Sequence, residues 1–456
     1  VLMADQEQTK TPLDRVLNLF APVHGGEGAV VVVMALNIFL LMTAYYIIKP
    51  VREALILSEW GAEAQIYASA GQALMYLGLV PLYSRLADRM PVRRLITTVL
   101  VFFAACLVAF YVLAWTGLQI GIAFFLWVGI FNMMVVAQFW SFANDIYSED
   151  HGKRLFAIIG FGMSAGAYVG GFVTSRFIEP LGLYQLLLLS AALLMLSLVL
   201  TWIAAARRAP RASDGTEGIE EPAMEEGGGF ALVFRNRYLL LIGLLLIMLN
   251  LVNTPGEYIL SAIVTDGQEA AVAEVVRSPG MTDTQYEAAL DARENEVGKG
   301  IGRFYADFFA VVNLVGLLIQ LFLVSRIVAW IGVNRAVMIL PLIAMGSYVL
   351  VALFPVLAVA RWTKTAENAT DYSLNNTVRN MLFLPTTRAE KYKAKQAIDT
   401  FFVRVGDVMA ALLVLGGTTL LGLAPTGFAM VNVGLAVVWL MIALMIGRRY
   451  RRLSTS

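Results

Sequence analysis

Lys49, Arg52 and Glu53 follow a long apolar run, spaced so that a helix puts all three on one face. A second set, Arg361, Lys364, Asn368, Asp371, Asn375 and Arg379, is separated by 3, 4, 3, 4 and 4 residues. At about 100° per residue these six fall within roughly 80° of one another, a single polar stripe about five turns long. Glu367 and Asn376 lie off it. Asp399, Arg404 and Asp407 fall in the next apolar segment, Asp307 in an earlier one, and Asn144-Asp145 close another. An ionisable side chain at bilayer depth costs at least ~2.5–3.5 kcal/mol, so it normally faces a cavity or a partner. The chemistry on offer is recognition of a polar, charged solute and the making and breaking of ion pairs. No nucleophile–base constellation or metal-ligating set is legible, so no enzymatic activity, metal or cofactor is expected.

The elements that carry these residues are membrane spans. The 456 residues are 59% hydrophobic and only 15% charged, against about 25% charged in a soluble protein. Residues 30–48 and 183–206 contain no acidic or basic side chain over roughly the ~20 positions that cross a bilayer. Cys106 is the only cysteine, and His24 and His151 are the only histidines. That excludes an intramolecular disulfide and a thiolate cluster and leaves little for zinc, haem or copper. The pattern GxxxxGK[ST] is absent, so the sequence does not read as an ATP-driven pump. A net charge of +1 gives no reason to expect a nucleic-acid partner. No cleavable signal peptide is expected in the polar, amphipathic residues 1–27, and an initial Val1 suggests a trimmed chain.

The fold class expected is an all-α polytopic membrane protein with twelve spans in two six-helix halves. The first half, 28–206, holds spans at 28–57, 64–83, 95–115, 118–142, 155–178 and 184–206. Residues 207–229 are polar and rich in Gly, Pro and acidic residues, the composition of a flexible linker. The second half, 230–446, holds spans at 238–263, 303–325, 336–354, 356–384, 396–422 and 426–446, followed by a basic tail at 447–456. Basic residues mark alternate loops: Arg85, Arg89, Arg93 and Arg94; Lys153 and Arg154; Arg207, Arg208, Arg211, Arg235 and Arg237; Arg388, Lys391, Lys393 and Lys395; and Arg448, Arg449, Arg451 and Arg452. The positive-inside rule then puts both termini in the cytoplasm and the acidic insert 265–299, with its helix-compatible spacing, outside. A bacterial inner membrane is the expected location, with the bilayer and a small anionic solute as partners and a monomer as the working unit.

Two interruptions stand at matching places in the halves. Pro50, beside Lys49, Arg52 and Glu53, is expected to kink or break span one, and 250–257 (Asn250 through Asn253, Pro255, Gly256 and Glu257) interrupts span seven. Interrupted helices at corresponding positions point to a transporter's central site. Gly162, Gly166 and Gly170 recur every four residues, the mark of a close helix-packing face. Arg404 and Asp407 are three apart and can pair within one helix. The basic and acidic side chains of the spans nearly balance, so charge sign alone leaves the solute open and allows many to pair in alternating gates. Residues alone therefore read as a secondary transporter of a polar, charged solute.

Two six-span halves joined by a polar linker resemble the plan of the major facilitator superfamily. Residues 86–94, which include Asp88 and Arg89, resemble its inner-loop motif, although Ser84 and Pro91 replace the usual glycines and the counterpart at 326–335 is degraded. Within that fold, three stretches look like the ATP:ADP antiporter family of plastids and intracellular bacteria. Residues 46–55 resemble its first-span motif, and Phe139-Trp140-Ser141-Phe142-Ala143-Asn144 its FWxFAN signature. The third stretch combines Asp371-Tyr372-Ser373-Leu374 through Arg379, Leu384-Pro385, Lys393-Ala394-Lys395 and Ala397-Ile398-Asp399, and resembles the tenth-to-eleventh-span block.

That resemblance implies exchange of nucleotides, with basic residues on the phosphates. Arg52 stands where the family usually has a lysine and Arg379 at another basic position, and guanidinium groups bind phosphate in bidentate fashion. Val128 and Asn253 stand at two places where the family carries carboxylates, and Glu257 is the nearest replacement for the second. The residues expected to bind substrate are Lys49, Arg52, Glu53, Asn144, Asn253, Glu257, Asp371, Asn375, Arg379 and Arg404. Those expected in gates or ion pairs are Asp88, Arg89, Asp145, Asp307, Arg361, Lys364, Asp399 and Asp407. Two other readings remain open: a proton-coupled transporter of another organic anion or a lipid headgroup, and a non-transporting membrane sensor or anchor.

Overall fold

A computed structural model describes the chain except residues 1–10, 19–22, 148, 207–228, 388–389, 391–393 and 456. The expected linker 207–229 therefore lies almost wholly outside the described residues. Every regular element among those described is helical. In chain order they are α1 (Pro12–Leu17), α2 (Gly28–Arg89), α3 (Val92–Ala114), α4 (Gly121–Ile146), α5 (Glu149–Leu181), α6 (Gln185–Ala206), α7 (Gly229–Arg235), α8 (Arg237–Ala271) and α9 (Asp283–Phe322). There follow α10 (Val324–Ile331), α11 (Val333–Ala336), α12 (Ile339–Leu353), α13 (Leu357–Thr370), α14 (Asn376–Met381), α15 (Lys395–Ala397), α16 (Val403–Thr419) and α17 (Pro425–Thr455). A π-helical turn, Asp371–Asn375, joins α13 to α14, and another, Ile398–Phe402, joins α15 to α16.

Nine helices among the described residues are long and apolar enough to cross a membrane. The twelve expected spans map onto these with two adjustments. The first two share α2, which turns at Gly61 and counts once. The tenth and eleventh are cut into shorter pieces by the π turns and do not count.

Both proline expectations are corrected. α2 keeps helical dihedrals through Pro50, and its non-helical residue is Gly61, at φ 76° and ψ 178°. That region is essentially restricted to glycine. α8 likewise runs unbroken through Pro255. The carbonyl of Val252, three residues earlier, accepts hydrogen bonds from Asn432 Nδ2 at 2.9 Å and from the Tyr348 hydroxyl at 3.3 Å. These donors satisfy a carbonyl one residue beyond that of Leu251, the acceptor that Pro255 deprives of its amide partner. The insert 265–299 is not a separate element either. α8 extends to Ala271, and α9 starts at Asp283 under a capping box between Thr282 and Gln285. At the other end, α17 continues as helix through the basic tail to Thr455.

The chain forms two compact units. One holds residues 1–55, 76–215 and 302–310, the other 56–75, 216–301 and 311–456. In the first, the glycine stripe of α5 lies against the backbone of α2: a Cβ on Gly162, Gly166 or Gly170 would meet the carbonyl oxygen of Ala35, Phe39 or Thr43 respectively. The packing face read from the spacing is thus real, and its counterpart on α2 repeats every four residues too. Asn37, fully buried, ties α2 to α6 by donating to Thr201 and accepting from Ser197, both at 2.7 Å. In the second unit α8 packs against α16 and α17, and α12 against α13 and α17.

Candidate functional site

Among the described residues, each unit holds a cluster of buried charged side chains. In the first, Lys49, Arg52 and Glu53 lie on the part of α2 that is packed among aromatic rings. The Lys49 ammonium group is 3.8 Å from the Phe309 ring centroid and 5.3 Å from that of Tyr46. The Arg52 guanidinium lies 4.4 Å from the Phe125 centroid and pairs with the carboxylate of Glu53, whose residue is 2% exposed. Tyr45 and Tyr46 meet edge to face at 5.1 Å, and Tyr45 stacks on Phe131. A cation over a ring gains ~0.5–2 kcal/mol, more as water is excluded. The cluster therefore has two cations, one carboxylate and several ring faces within one apolar wall.

Phe309 reaches this cluster because residues 302–310 of α9 are held against α5. Gly171 admits Ala306 and Ala310 at close range, Ser175 donates to Asp307, and Arg303 pairs with Glu179. Asp307, expected in a gate, thus serves to fix α9 against α5 beside Phe309.

In the second unit, Lys364 of α13 is buried and turned toward α8. Its ammonium donates to Asn253 Oδ1 at 2.7 Å and to Glu367 Oε1 at 3.2 Å, and lies 3.6 Å from Glu257 Oε1. Glu367, 3% exposed, also accepts from the Tyr348 hydroxyl at 3.0 Å. Glu257 is the open member, its side chain 28% exposed, and accepts from Asn368 Nδ2 at 3.3 Å. The gap lined by Gly256, Tyr348, Lys364 and Glu367 measures about 10 Å³, at the lower limit for one water. Gly256 is required there, since a Cβ would fall on the Tyr348 hydroxyl and 3.0 Å from the ammonium.

The structure thus brings together Asn253 and Glu257, expected to bind substrate, with Lys364, expected in a gate. It joins to them Glu367, Tyr348 and Asn432, which sequence reasoning left out. Glu367 was set aside as off the stripe, although its i+3 spacing from Lys364 was a usable signal. The stripe itself is corrected: the π turn Asp371–Asn375 breaks the 100° progression between Asn368 and Arg379. Asp371 accepts from Asn375 at 2.7 Å, across that turn. Arg379 bonds Asn376 at 3.4 Å. Lys395 pairs with Asp399 at 3.4 Å, and Arg404 with Asp407 at 2.9 Å, the pairing within one helix that the spacing allowed. Arg361 is half-buried near the start of α13, and Asp145 half-buried near the end of α4. Asp88 and Arg89 lie on the last turn of α2 and Asn144 on α4, but their side chains lie outside the described residues. Val128 is fully buried, three residues along α4 from the Phe125 on which Arg52 rests.

Residues 34–264, just over half of the chain, match the sequence profile of the Major Facilitator Superfamily, and the chain belongs to that superfamily. It is accordingly a multi-pass membrane protein and a secondary transporter of that type. No curated protein matches the sequence. Among solved structures, the nucleoside transporter NupG superposes with a TM-score of 0.59 at 12% identity, covering 91% of this chain and 98% of that one. A POT family transporter in complex with 5-aminolevulinic acid gives 0.61 at 14% identity, covering 92% and 96%. Another, in complex with a thioalcohol conjugated peptide, gives 0.62 at 15% identity, covering 98% and 100%. At such identities the likeness concerns the fold.

Proposed function

We propose that this member of the superfamily exchanges nucleotides, or closely related phosphorylated anions, across a bacterial inner membrane by alternating access, with both termini in the cytoplasm. The observation that supports this reading is the cluster around Lys49. Two basic groups, Lys49 and Arg52, stand one turn apart on α2 among the rings of Tyr46, Phe125 and Phe309, an arrangement of cations and aromatic side chains suited to a phosphorylated, aromatic solute. The sequence likeness to ATP:ADP antiporters falls on the same residues, 46–55. Arg379 and Arg404 are further phosphate-binding candidates, and Asn253, Glu257, Asp371 and Asn375 line the second unit's polar face.

A ligand that binds only the folded protein stabilises it, by about 2.7 kcal/mol at a hundred times its dissociation constant. Thermal unfolding of the purified protein with ATP, ADP, inorganic phosphate and adenosine tests the phosphate claim. The nucleoside transporter among the structural neighbours makes adenosine the natural control. Stabilisation by ATP and ADP but not by adenosine is expected. Equal stabilisation by adenosine, with phosphate inert, contradicts the reading.

A further inference from the structure

Lys364 is the only cation that an ion pair joins to Glu257 and Glu367 among the described residues. One positive charge thus faces two negative ones, and on the Glu367 side the gap beside the lysine is only about 10 Å³. The hydrogen-bonding neighbours on the adjoining helices are neutral. α8 contributes Asn253, α12 the Tyr348 hydroxyl, α13 Asn368 and α17 Asn432. Asp371, at the end of α13, adds a further negative charge within electrostatic reach of Lys364, and Arg379 acts electrostatically on Asp371. Asn432 is fully buried, and its Oδ1 has no hydrogen-bond partner among the described residues, so the cluster's surroundings are short of donors.

An uncompensated charge in a water-poor site is expensive, and a carboxylate escapes that cost by taking a proton. We propose that Glu257 and Glu367 form a proton-binding pair that shares Lys364 as its counter-ion and takes up one proton between them. The proton comes from solvent through Glu257, the exposed member, and adds to a carboxylate oxygen. Lys364 stays an ammonium group and pairs with whichever carboxylate remains ionised. The cluster then carries no net charge, and loss of the proton restores one negative charge. Because the two carboxylates interact through one lysine, the proton belongs to the pair and not to either residue. Asn253 supports this by giving Lys364 a neutral acceptor that does not compete for the proton. The inference is independent of the nucleotide reading, since it concerns what the protein binds besides its solute.

Infrared difference spectra of the purified protein in lipid test this without any substrate. Between about pH 8 and about pH 6, exposed carboxylates with pKa values near ~4 stay ionised. A protonated-carboxyl carbonyl band that grows in across this interval is expected in the wild-type protein. It is expected to vanish in Glu257→Gln and again in Glu367→Gln, because each leaves one carboxylate for one lysine. Two variants are used because the buried Glu367→Gln is the one at risk of misfolding. No band in the wild-type protein, or a band that survives in both variants, overturns the proposal. A band lost in only one variant overturns the sharing.

Discussion

The ammonium group of Lys364 lies 2.7 Å from Oδ1 of Asn253, so a neutral amide from α8 meets a lysine that two carboxylates already claim. An aspartate at 253 would set three negative charges against one positive around Lys364. The position resembles one where ATP:ADP antiporters carry a carboxylate.

Removing the lysine is therefore expected to damage the fold as well as transport. Lys364→Met leaves Glu367 buried beside Tyr348 with no counter-ion, and breaking one partner of a buried pair costs about 3–5 kcal/mol. The double variant Lys364→Met with Glu367→Gln should recover much of that loss. Thermal unfolding in detergent is the readout. Equal midpoints for Lys364→Met and the wild type would show that the pair contributes nothing.

Gly166 allows a second check on packing. A Cβ there would strike the carbonyl of Phe39, which is backbone and cannot swing aside. Gly166→Ala should cost about 1–3 kcal/mol through overpacking. Gly160, on the same helix, has nothing within 4 Å of its Cβ position, and Gly160→Ala should be neutral or slightly stabilising by helix propensity. Similar unfolding midpoints for the two variants would contradict the described contact between α5 and α2.

Before the first span, Asp14 on α1 fastens the N-terminal segment to the start of α2. Burial would raise its pKa, but hydrogen bonds from the Thr11 amide and hydroxyl, both 2.8 Å, and from the Gly26 and Gly28 amides at 3.1 and 2.9 Å hold it at about 2. Its folded-state pKa lies below the ordinary 3.8, so its contribution to stability is complete above about pH 4 and is lost as pH falls through about 2. Pepsin cleavage within residues 11–28 should therefore accelerate between those values. Asp14→Asn should be cleaved readily at both ends of the range, and unchanged protection in that variant would contradict the fastening role.

Some of this was legible in the sequence and some was not. Gly162, Gly166 and Gly170 announced a close helix contact because a four-residue repeat of side chains without bulk has one physical use in a span. Arg404 and Asp407 announced their pairing by spacing alone. Pro50 and Pro255 misled because a proline removes one hydrogen bond from a helix without always ending it, and the packing around α2 and α8 holds both helices through it. The turn at Gly61 rests on a left-handed φ that composition does not disclose. The π turn Asp371–Asn375 changes the residue-to-angle relation, so a long stripe drawn at a constant 100° does not survive it. Phe309 was invisible as a partner of Lys49 because the two are 260 positions apart.

Arg52 is the residue on which the phosphate reading leans in α2. Arg52→Ala breaks the pair with Glu53 and removes the guanidinium from Phe125, so transport should fall by about tenfold or more, equivalent to ~1.4 kcal/mol. Arg52→Lys keeps the charge but loses the planar fork, and an intermediate rate is expected. Initial rates of uptake normalised to inserted protein give the comparison. Wild-type rates in Arg52→Ala would remove this residue from the site.

The central claim is exchange of phosphorylated solutes, and one measurement bears on it most directly. Purified protein is reconstituted into liposomes, and uptake of labelled ATP is compared between vesicles preloaded with ADP and empty vesicles. Rapid uptake in loaded vesicles and little in empty ones is predicted. Absence of uptake in both, with protein shown to be folded and inserted, or uptake indifferent to the internal nucleotide, would contradict the account.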